Sequence, residues 1–301
     1  MSNPVRGYAP HAGFVALAGD RAEPWRTVAG VAVAFVAGLA LYQLAVALLA
    51  SLLGPEAMRR VLDEATHYGD TPRAVLVTLF SFVFFSVGLA MALHALHDRR
   101  LMSLVGPWEA ALSDFIRTVI SVCSLLLGLN LLTPQDYELV RNVQLSTGMW
   151  LGLLPLALAA LAVQVGTEEL FFRGYLQQQI AARFPGWPAW LLLPSVLFGL
   201  AHWAPAAAGP NATAFMLWAI LFGVLAADLT ARTGTLGAAL GLHFAMNAFA
   251  VLGTSLSGPG SGLALYLLPF EADAPELASL MPVEMATLLV AWLAVRLALK
   301  V

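Results

Sequence analysis

The sequence predicts an all-α, polytopic transmembrane helical bundle of about eight helices, with the N- and C-termini in the cytoplasm. Apolar residues make up 60% of the chain and charged residues 11%, and the mean hydropathy is +0.80. Several apolar runs are longer than the roughly 20 residues that a helix needs to cross a bilayer. The eight runs cover about 27–53, 74–96, 110–132, 149–172, 188–206, 213–231, 235–254 and 282–299.

Helix-breaking residues separate the runs. Gly54-Pro55 closes the first run, Pro107 opens the third, and residues 185–188 break the chain before the fifth. The first 25 residues lack the apolar core of a cleavable signal peptide, and we expect them to be a mobile tail. The predicted divisions are a cytoplasmic polar tail, N-terminal transmembrane helices, a helical core, and an outer loop with the last transmembrane helix, at residues 1–26, 27–148, 149–255 and 256–301.

The basic residues indicate the orientation of the helices. If the N-terminus is inside, the inner side holds Arg6, Arg21, Arg26, Arg99, Arg100, Arg183, Arg232, Arg296 and Lys300. The outer side then holds only Arg59, Arg60, Arg73 and Arg141. Because cytoplasmic loops carry an excess of Lys and Arg, both termini are expected inside. The single cysteine, Cys123, excludes an intrachain disulfide and cysteine-rich metal sites.

Two adjacent glutamates and an arginine follow the long apolar run Met149 to Val165, within the stretch Gly166–Gly174. An ionisable residue at the centre of a membrane helix costs about 2.5–3.5 kcal/mol, so such residues indicate function. Glu169 and Arg173 are four positions apart, so they share a helix face and are predicted to form a supporting ion pair. Glu168 is rotated by about 100° and is therefore predicted to have other partners.

Two further helices carry polar pairs at the same spacing. Phe198 and His202 are four apart in the fifth run, and His243 and Asn247 are four apart in the seventh. Glycines at both ends of the stretch 237–241 predict a close approach of another helix. A polar cluster is easier to bury than isolated polar groups, because its members satisfy one another.

The rise of an α-helix allows these groups to meet. Counted from the inner helix ends at about 1.5 Å per residue, His202 and His243 lie in the middle layer of the membrane. Glu168 reaches the same layer if its helix continues past the apolar part to about Ile180.

The chain resembles the CPBP family, which includes the CAAX-processing type II proteases and related bacteriocin-processing and abortive-infection-type membrane proteins. The resemblance covers roughly residues 149–255 and lies in three motifs, Glu168-Glu169-x-x-x-Arg173, Phe198-x-x-x-His202 and His243-x-x-x-Asn247. It implies an intramembrane endopeptidase of a metalloendopeptidase-type family, with the catalytic residues Glu168, His202, His243 and Asn247. The remaining motif residues, Glu169, Arg173 and Phe198, are implied to support them.

The residue types allow two mechanisms of peptide hydrolysis. Glu168 can take a proton from water that His202 holds, while His243 and Asn247 donate hydrogen bonds to the oxyanion. Alternatively, Glu168, His202 and His243 could bind zinc, because two histidines and a carboxylate leave an open fourth position. Both routes stay open, and we prefer the metal-independent one.

Other functions are compatible with buried charges in a membrane. A proton- or ion-coupled transporter needs them, but the chain shows no paired halves. A non-catalytic immunity or scaffold protein of the same fold would not need intact motifs. For a protease, the expected partners are the lipid bilayer and a membrane-embedded or prenylated peptide or protein, and no nucleic acid. We expect an integral protein of a bacterial inner membrane whose site opens to the cytoplasm.

Two charged pairs and one histidine outside the motifs are interpreted as structural rather than catalytic. Asp114 with Arg117, and Asp228 with Arg232, are predicted to be ion pairs from their spacing. His97 is predicted to lie in a solvated inner loop.

Overall fold

The structure, a computed structural model, describes residues 7–132 and 137–301. These residues are mainly helical, so the predicted all-α polytopic bundle is confirmed. In chain order, α1 to α12 are Ala9–Val15, Pro24–Leu53, Pro55–Asp63, Pro72–Ala92, Trp108–Leu132, Thr147–Glu169, Gln177–Arg183, Trp187–Ala201, Pro205–Ala208, Ala212–Thr233, Gly237–Ala248 and Leu277–Leu299.

Each of the eight predicted apolar runs contains a helix. In the described residues, six helical segments are long and apolar enough to cross a membrane, namely Pro24–Leu53, Pro72–His97, Trp108–Leu132, Thr147–Arg183, Pro205–Thr233 and Leu277–Leu299. Two shorter apolar helices, Trp187–Ala201 and Gly237–Gly253, correspond to the fifth and seventh runs. These helices indicate an integral membrane protein, while eight crossings and cytoplasmic termini stay predictions.

The helix that carries the glutamates is continuous from Thr147 to Arg183 and has 37 residues. The Ser146 side chain accepts a hydrogen bond from the backbone N–H of Met149 and so caps its start. A π-helical turn, Leu170–Leu176, joins α6 to α7 without a break. Glu168 lies 15 positions before the end at Arg183, or about 22 Å along the axis. The helix thus continues past Ile180, which is the condition under which Glu168 is predicted to reach the middle layer of the membrane.

The remaining regular structure is short. Further π-helical turns are Glu64–Tyr68, Leu93–His97 and Phe249–Gly253, and the 3₁₀ turns are Ala16–Arg21, Leu101–Leu104, Gly209–Asn211 and Ser261–Leu263. Three two-residue strands, β1 (Val140–Arg141), β2 (Thr254–Ser255) and β3 (Tyr266–Leu267), form a small sheet. Strand β3 is central, antiparallel to β1 and parallel to β2, so the sheet joins the segment before α6 to the segment between α11 and α12.

The glycines of α11 bring it close to α5. A Cβ atom added at Gly237 would lie 2.0 Å from the Ala111 carbonyl oxygen, and one at Gly241 would lie 2.7 Å from Thr118 Cβ. Neither position has room for a larger residue, so the predicted small-residue contact is present. This contact fixes the height of α11, and with it the height of the histidine and asparagine that α11 carries.

In its described residues, the N-terminal segment is packed on the bundle, whereas we expected a mobile tail. From Tyr8 to Arg21 it is mostly helical, and His11 and Phe14 are buried. The Tyr8 hydroxyl donates a 2.6 Å hydrogen bond to Asp228 Oδ1, and burial with this bond raises the pKa of Tyr8 to about 12. The His11 ring lies 4.1 Å from the Trp190 ring, and its burial lowers its pKa to about 4. Apolar burial holds the segment on the bundle, which a count of polar residues does not predict.

One of the two ion pairs predicted outside the three motifs is present. Arg232 Nε lies 2.8 Å from Asp228 Oδ2, as the spacing predicts. Asp114 and Arg117, the second predicted pair, form no direct salt bridge within the part of the chain described. Asp114 Oδ2 instead accepts a 2.8 Å hydrogen bond from the Thr235 hydroxyl, because the start of α11 packs against α5. Arg117 is exposed on the outer face of α5.

The prediction of a solvated His97 is wrong. Its side chain is buried, with Nδ1 at 3.0 Å from the Arg21 carbonyl oxygen and Nε2 at 2.9 Å from the Tyr175 hydroxyl. The adjoining residues Asp98, Arg99 and Arg100 suggested a polar loop, but the N-terminal segment covers it.

Candidate functional site

Glu169 is the centre of the polar cluster. Its Oε1 atom lies 2.9 Å from Arg173 Nη1 and 2.7 Å from His243 Nδ1, and the carboxylate is fully buried. The ion pair with Arg173 was predicted from the spacing of four. The contact with His243, on α11, was not predicted, because it joins two helices that are far apart in the sequence.

His243 lies between the two glutamates. An ionised carboxylate only accepts hydrogen bonds, so Nδ1–H of His243 donates to Glu169. This bond turns Nε2 toward the second glutamate, and Nε2 lies 3.7 Å from Glu168 Oε2. The separation exceeds that of a direct hydrogen bond. Glu168 is thus beside the same imidazole that Glu169 holds, but is not hydrogen-bonded to it.

Aromatic rings surround the guanidinium of Arg173. Its central carbon lies 4.4 Å from the centre of the Phe198 ring, 5.4 Å from Phe222 and 5.8 Å from Phe172. A cation over desolvated ring faces gains about 2 kcal/mol, and these rings also exclude water from the ion pair. Phe198 therefore has an observable contact with the first motif. Phe222, on α10, was missed because no polar pattern marks it.

His202 lies at the end of α8 and is exposed. Its Nδ1 atom lies 2.8 Å from the Phe198 carbonyl oxygen, and since a carbonyl accepts, Nδ1–H is the donor. In the neutral ring, Nε2 is then the free acceptor. The Phe198 ring lies 4.3 Å from the His202 ring and 6.1 Å from the His243 ring, so it neighbours both histidines. No hydrogen bond joins His202 to Glu168 in the described chain.

Asn247 has a hydrogen-bond partner outside the three motifs. Its Nδ2 atom donates a 3.3 Å hydrogen bond to Gln164 Oε1, and Gln164 is 8% exposed. Gln164 lies one helical turn before Glu168, within a run that we treated as uniformly apolar. The available signal was an amide four positions from Glu168, on the same face of the helix.

Several buried polar atoms of the cluster have no protein partner. Among the described residues, these are Glu168 Oε2, Glu169 Oε2, Arg173 Nε and Arg173 Nη2. Buried polar groups generally have a hydrogen-bond partner, either protein or water. The concentration of such atoms here indicates a place where water or a polar ligand binds.

The zinc alternative finds no ligand set in this arrangement. Among the residues that the structure describes, no three His, Cys, Asp or Glu side chains are grouped so that they could hold a metal ion. Glu168 and His243 are adjacent, but the Nδ1 atom of His202 is bonded to the Phe198 carbonyl oxygen. The three predicted ligands therefore do not fit zinc as they stand, and no chemical step is assigned to a metal.

The comparisons with known proteins agree with the motifs. Residues 150–249 match the family model described as type II CAAX prenyl endopeptidase Rce1-like. The chain is also 28% identical over 198 residues to the uncharacterised protein YyaK of Bacillus subtilis, and the aligned part covers 62% of this chain and 63% of YyaK. No solved structure gives a significant match. Residues 150–249, the part of the chain that matches the Rce1-like family model, contain all three motifs.

Proposed function

We propose that the protein is an intramembrane endopeptidase that hydrolyses a peptide bond in a membrane-associated protein or peptide. The observation that carries the proposal is the unbonded Oε2 atom of Glu168, buried 3.7 Å from His243 Nε2. A carboxylate without a protein partner, beside an imidazole held by a second carboxylate, is able to bind and activate water. The family match supports the same reaction.

Charge balance supports the donor role of His243. Glu168 and Glu169 together with Arg173 carry a net charge of −1 when His243 is neutral. A second proton on His243 makes the cluster neutral, which lowers the cost of burying it in a membrane. Because Nδ1–H is bound to Glu169, this proton lies on Nε2, which faces Glu168. Nε2–H can then donate to an oxyanion.

In the proposed mechanism, Glu168 takes a proton from the attacking water and passes it to the leaving amine. The free Nε2 of His202 accepts a hydrogen bond from the same water on the exposed side of the site. The oxyanion accepts hydrogen bonds from His243 Nε2–H and from the Asn247 amide. Glu169 holds the imidazole in place, and Arg173 neutralises Glu169.

The proposed substrate class follows from the family description, which names CAAX prenyl endopeptidases. We propose a prenylated C-terminal peptide or a membrane-bound peptide precursor, with the site open to the cytoplasmic side of a bacterial inner membrane. The match covers residues 150–249 only, so the substrate is best identified by direct assay.

The test is cleavage of prenylated peptides by the purified full chain, comparing Glu168→Gln with the wild type. Glutamine keeps the size of the side chain but cannot take the proton, so turnover should fall by about 10²- to 10⁴-fold. Glu109→Gln is the matched control, because Glu109 is exposed in the first turn of α5. Near-normal turnover of Glu168→Gln would refute the mechanism. Proton flux into liposomes without cleavage would instead favour the transporter.

A further inference from the structure

We propose that Gln164 is a positioning residue that sets the orientation of the Asn247 amide for the oxyanion. The inference rests on the proposed function and adds a residue that lies outside the three motifs. Gln164 is buried in α6, and Asn247 Nδ2 donates to its Oε1 at 3.3 Å. No charged group is involved, so a charge-based reading of the sequence does not find it.

The two helices α6 and α11 face each other through polar groups at two levels. At one level, His243 lies between Glu168 and Glu169. One helical turn away on both helices, Asn247 meets Gln164. Residues four apart on a helix have Cβ atoms about 5–6 Å from each other. The Asn247 amide therefore stands within one turn of the imidazole that faces Glu168.

The chemistry of the amide explains why an acceptor is needed. Asn247 Nδ2 carries two hydrogens, and one of them is bound to Gln164 Oε1, which leaves the other for an oxyanion. The terminal torsion of asparagine has two roughly equivalent orientations. In the reversed orientation, Oδ1 takes the place of the donor and repels an oxyanion. An acceptor at Gln164 selects the orientation in which a donor faces the site.

The experiment is a double-mutant cycle on the full chain, with kcat and KM measured on a cleavable peptide. We expect Gln164→Met, which keeps the volume and removes the acceptor, to lower kcat by about 10- to 100-fold with KM changed less than about twofold. Asn247→Ala removes the donor itself and should lower kcat by about 100- to 1000-fold. If Gln164 acts only through Asn247, the double variant has the kcat of Asn247→Ala alone.

Gln178 provides the matched control for a structural role. It is fully buried in α7, in the same continuous helix, and its Nε2 donates to the Leu104 carbonyl at 3.2 Å. Gln178→Met should lower stability. If it also lowers kcat, the double variant with Asn247→Ala should lose the product of the two single effects, because the residues act independently. If the kcat of the Gln164→Met, Asn247→Ala double variant falls by the product of the two single losses, the inference is overturned. A change in KM alone would also overturn it.

The remaining outcomes separate this inference from the proposed function. If Asn247→Ala turns over normally while Glu168→Gln is inactive, the protease stands and the positioning role is overturned. If the wild type cleaves no peptide, the proposed function fails. The coupling of Gln164 with Asn247 is then measured from the thermal stability of the same single and double variants. If Gln164 and Asn247 are coupled in stability but not in kcat, Gln164 is a structural residue and the inference is overturned. The inference is also overturned if the two residues are coupled neither in stability nor in kcat.

Discussion

Glu169 accepts hydrogen bonds from two side chains, so the result of removing its charge depends on both. Arg173→Met removes the guanidinium from the buried Glu169 carboxylate, and the loss of one member of a buried pair costs about 3–5 kcal/mol. Both side chains of the pair are at most 1% exposed, so solvent does not screen this cost. We expect Arg173→Met to be strongly destabilised.

Adding Glu169→Leu to Arg173→Met removes the buried carboxylate but also takes the acceptor from His243 Nδ1–H. The cost that remains is one unsatisfied buried donor, about 1–3 kcal/mol. The double variant should therefore be more stable than Arg173→Met by about 2 kcal/mol, and still less stable than the wild type. The spacing alone predicts a fuller recovery, because it does not include the contact with His243.

The assay is the midpoint of thermal unfolding in detergent, with peptide cleavage measured on the same samples. A gain of about 2 kcal/mol corresponds to an increase of about 3 °C in a chain of 301 residues. Cleavage should not return, because His243 has lost the carboxylate that orients it. Arg59 and Asp63 are the control, an exposed pair at the same spacing of four whose coupling should be below about 0.5 kcal/mol. If the double variant is no more stable than Arg173→Met, Glu169 and Arg173 are not energetic partners.

Two further predictions concern the packing of the bundle and of the N-terminal segment. Gly237→Ala should lower the unfolding midpoint, because the added Cβ forces α11 away from the Ala111 carbonyl at a cost of about 1–3 kcal/mol. Gly128→Ala on α5 is the control, because nothing lies near its added Cβ. Equal midpoints for the two variants would contradict the packing argument. Burial lowers the pKa of His11 from 6.5 to about 4, so the unfolded chain binds a proton in this interval and the folded chain does not. Stability should be complete above pH 6.5 and should fall by up to about 3 kcal/mol as the pH decreases toward 4. His11→Phe should flatten this dependence in unfolding midpoints measured between pH 7.5 and 4.5, and an unchanged slope would show that another group causes it.

The sequence by itself determined the features that depend on neighbours along the chain. Apolar runs longer than a bilayer crossing predict membrane helices, because a backbone in lipid must satisfy its own hydrogen bonds. The pairing of Glu169 with Arg173, and of Asp228 with Arg232, follows from the helical period of 3.6 residues. The close approach at Gly237 follows from its lack of a side chain.

Only the tertiary structure decided which helix faces which group. The contact of Glu169 with His243, and that of Gln164 with Asn247, depend on the rotation and height of α6 against α11, and the spacing within either helix leaves both undetermined. Glu168, His202 and His243 resemble a zinc set in the sequence, but within the described residues they do not converge on one point. The burial of His97 and His11 depends in the same way on the docking of the N-terminal segment. Spacing within one helix is a local property of the backbone, whereas contacts between helices depend on the packing of the whole bundle.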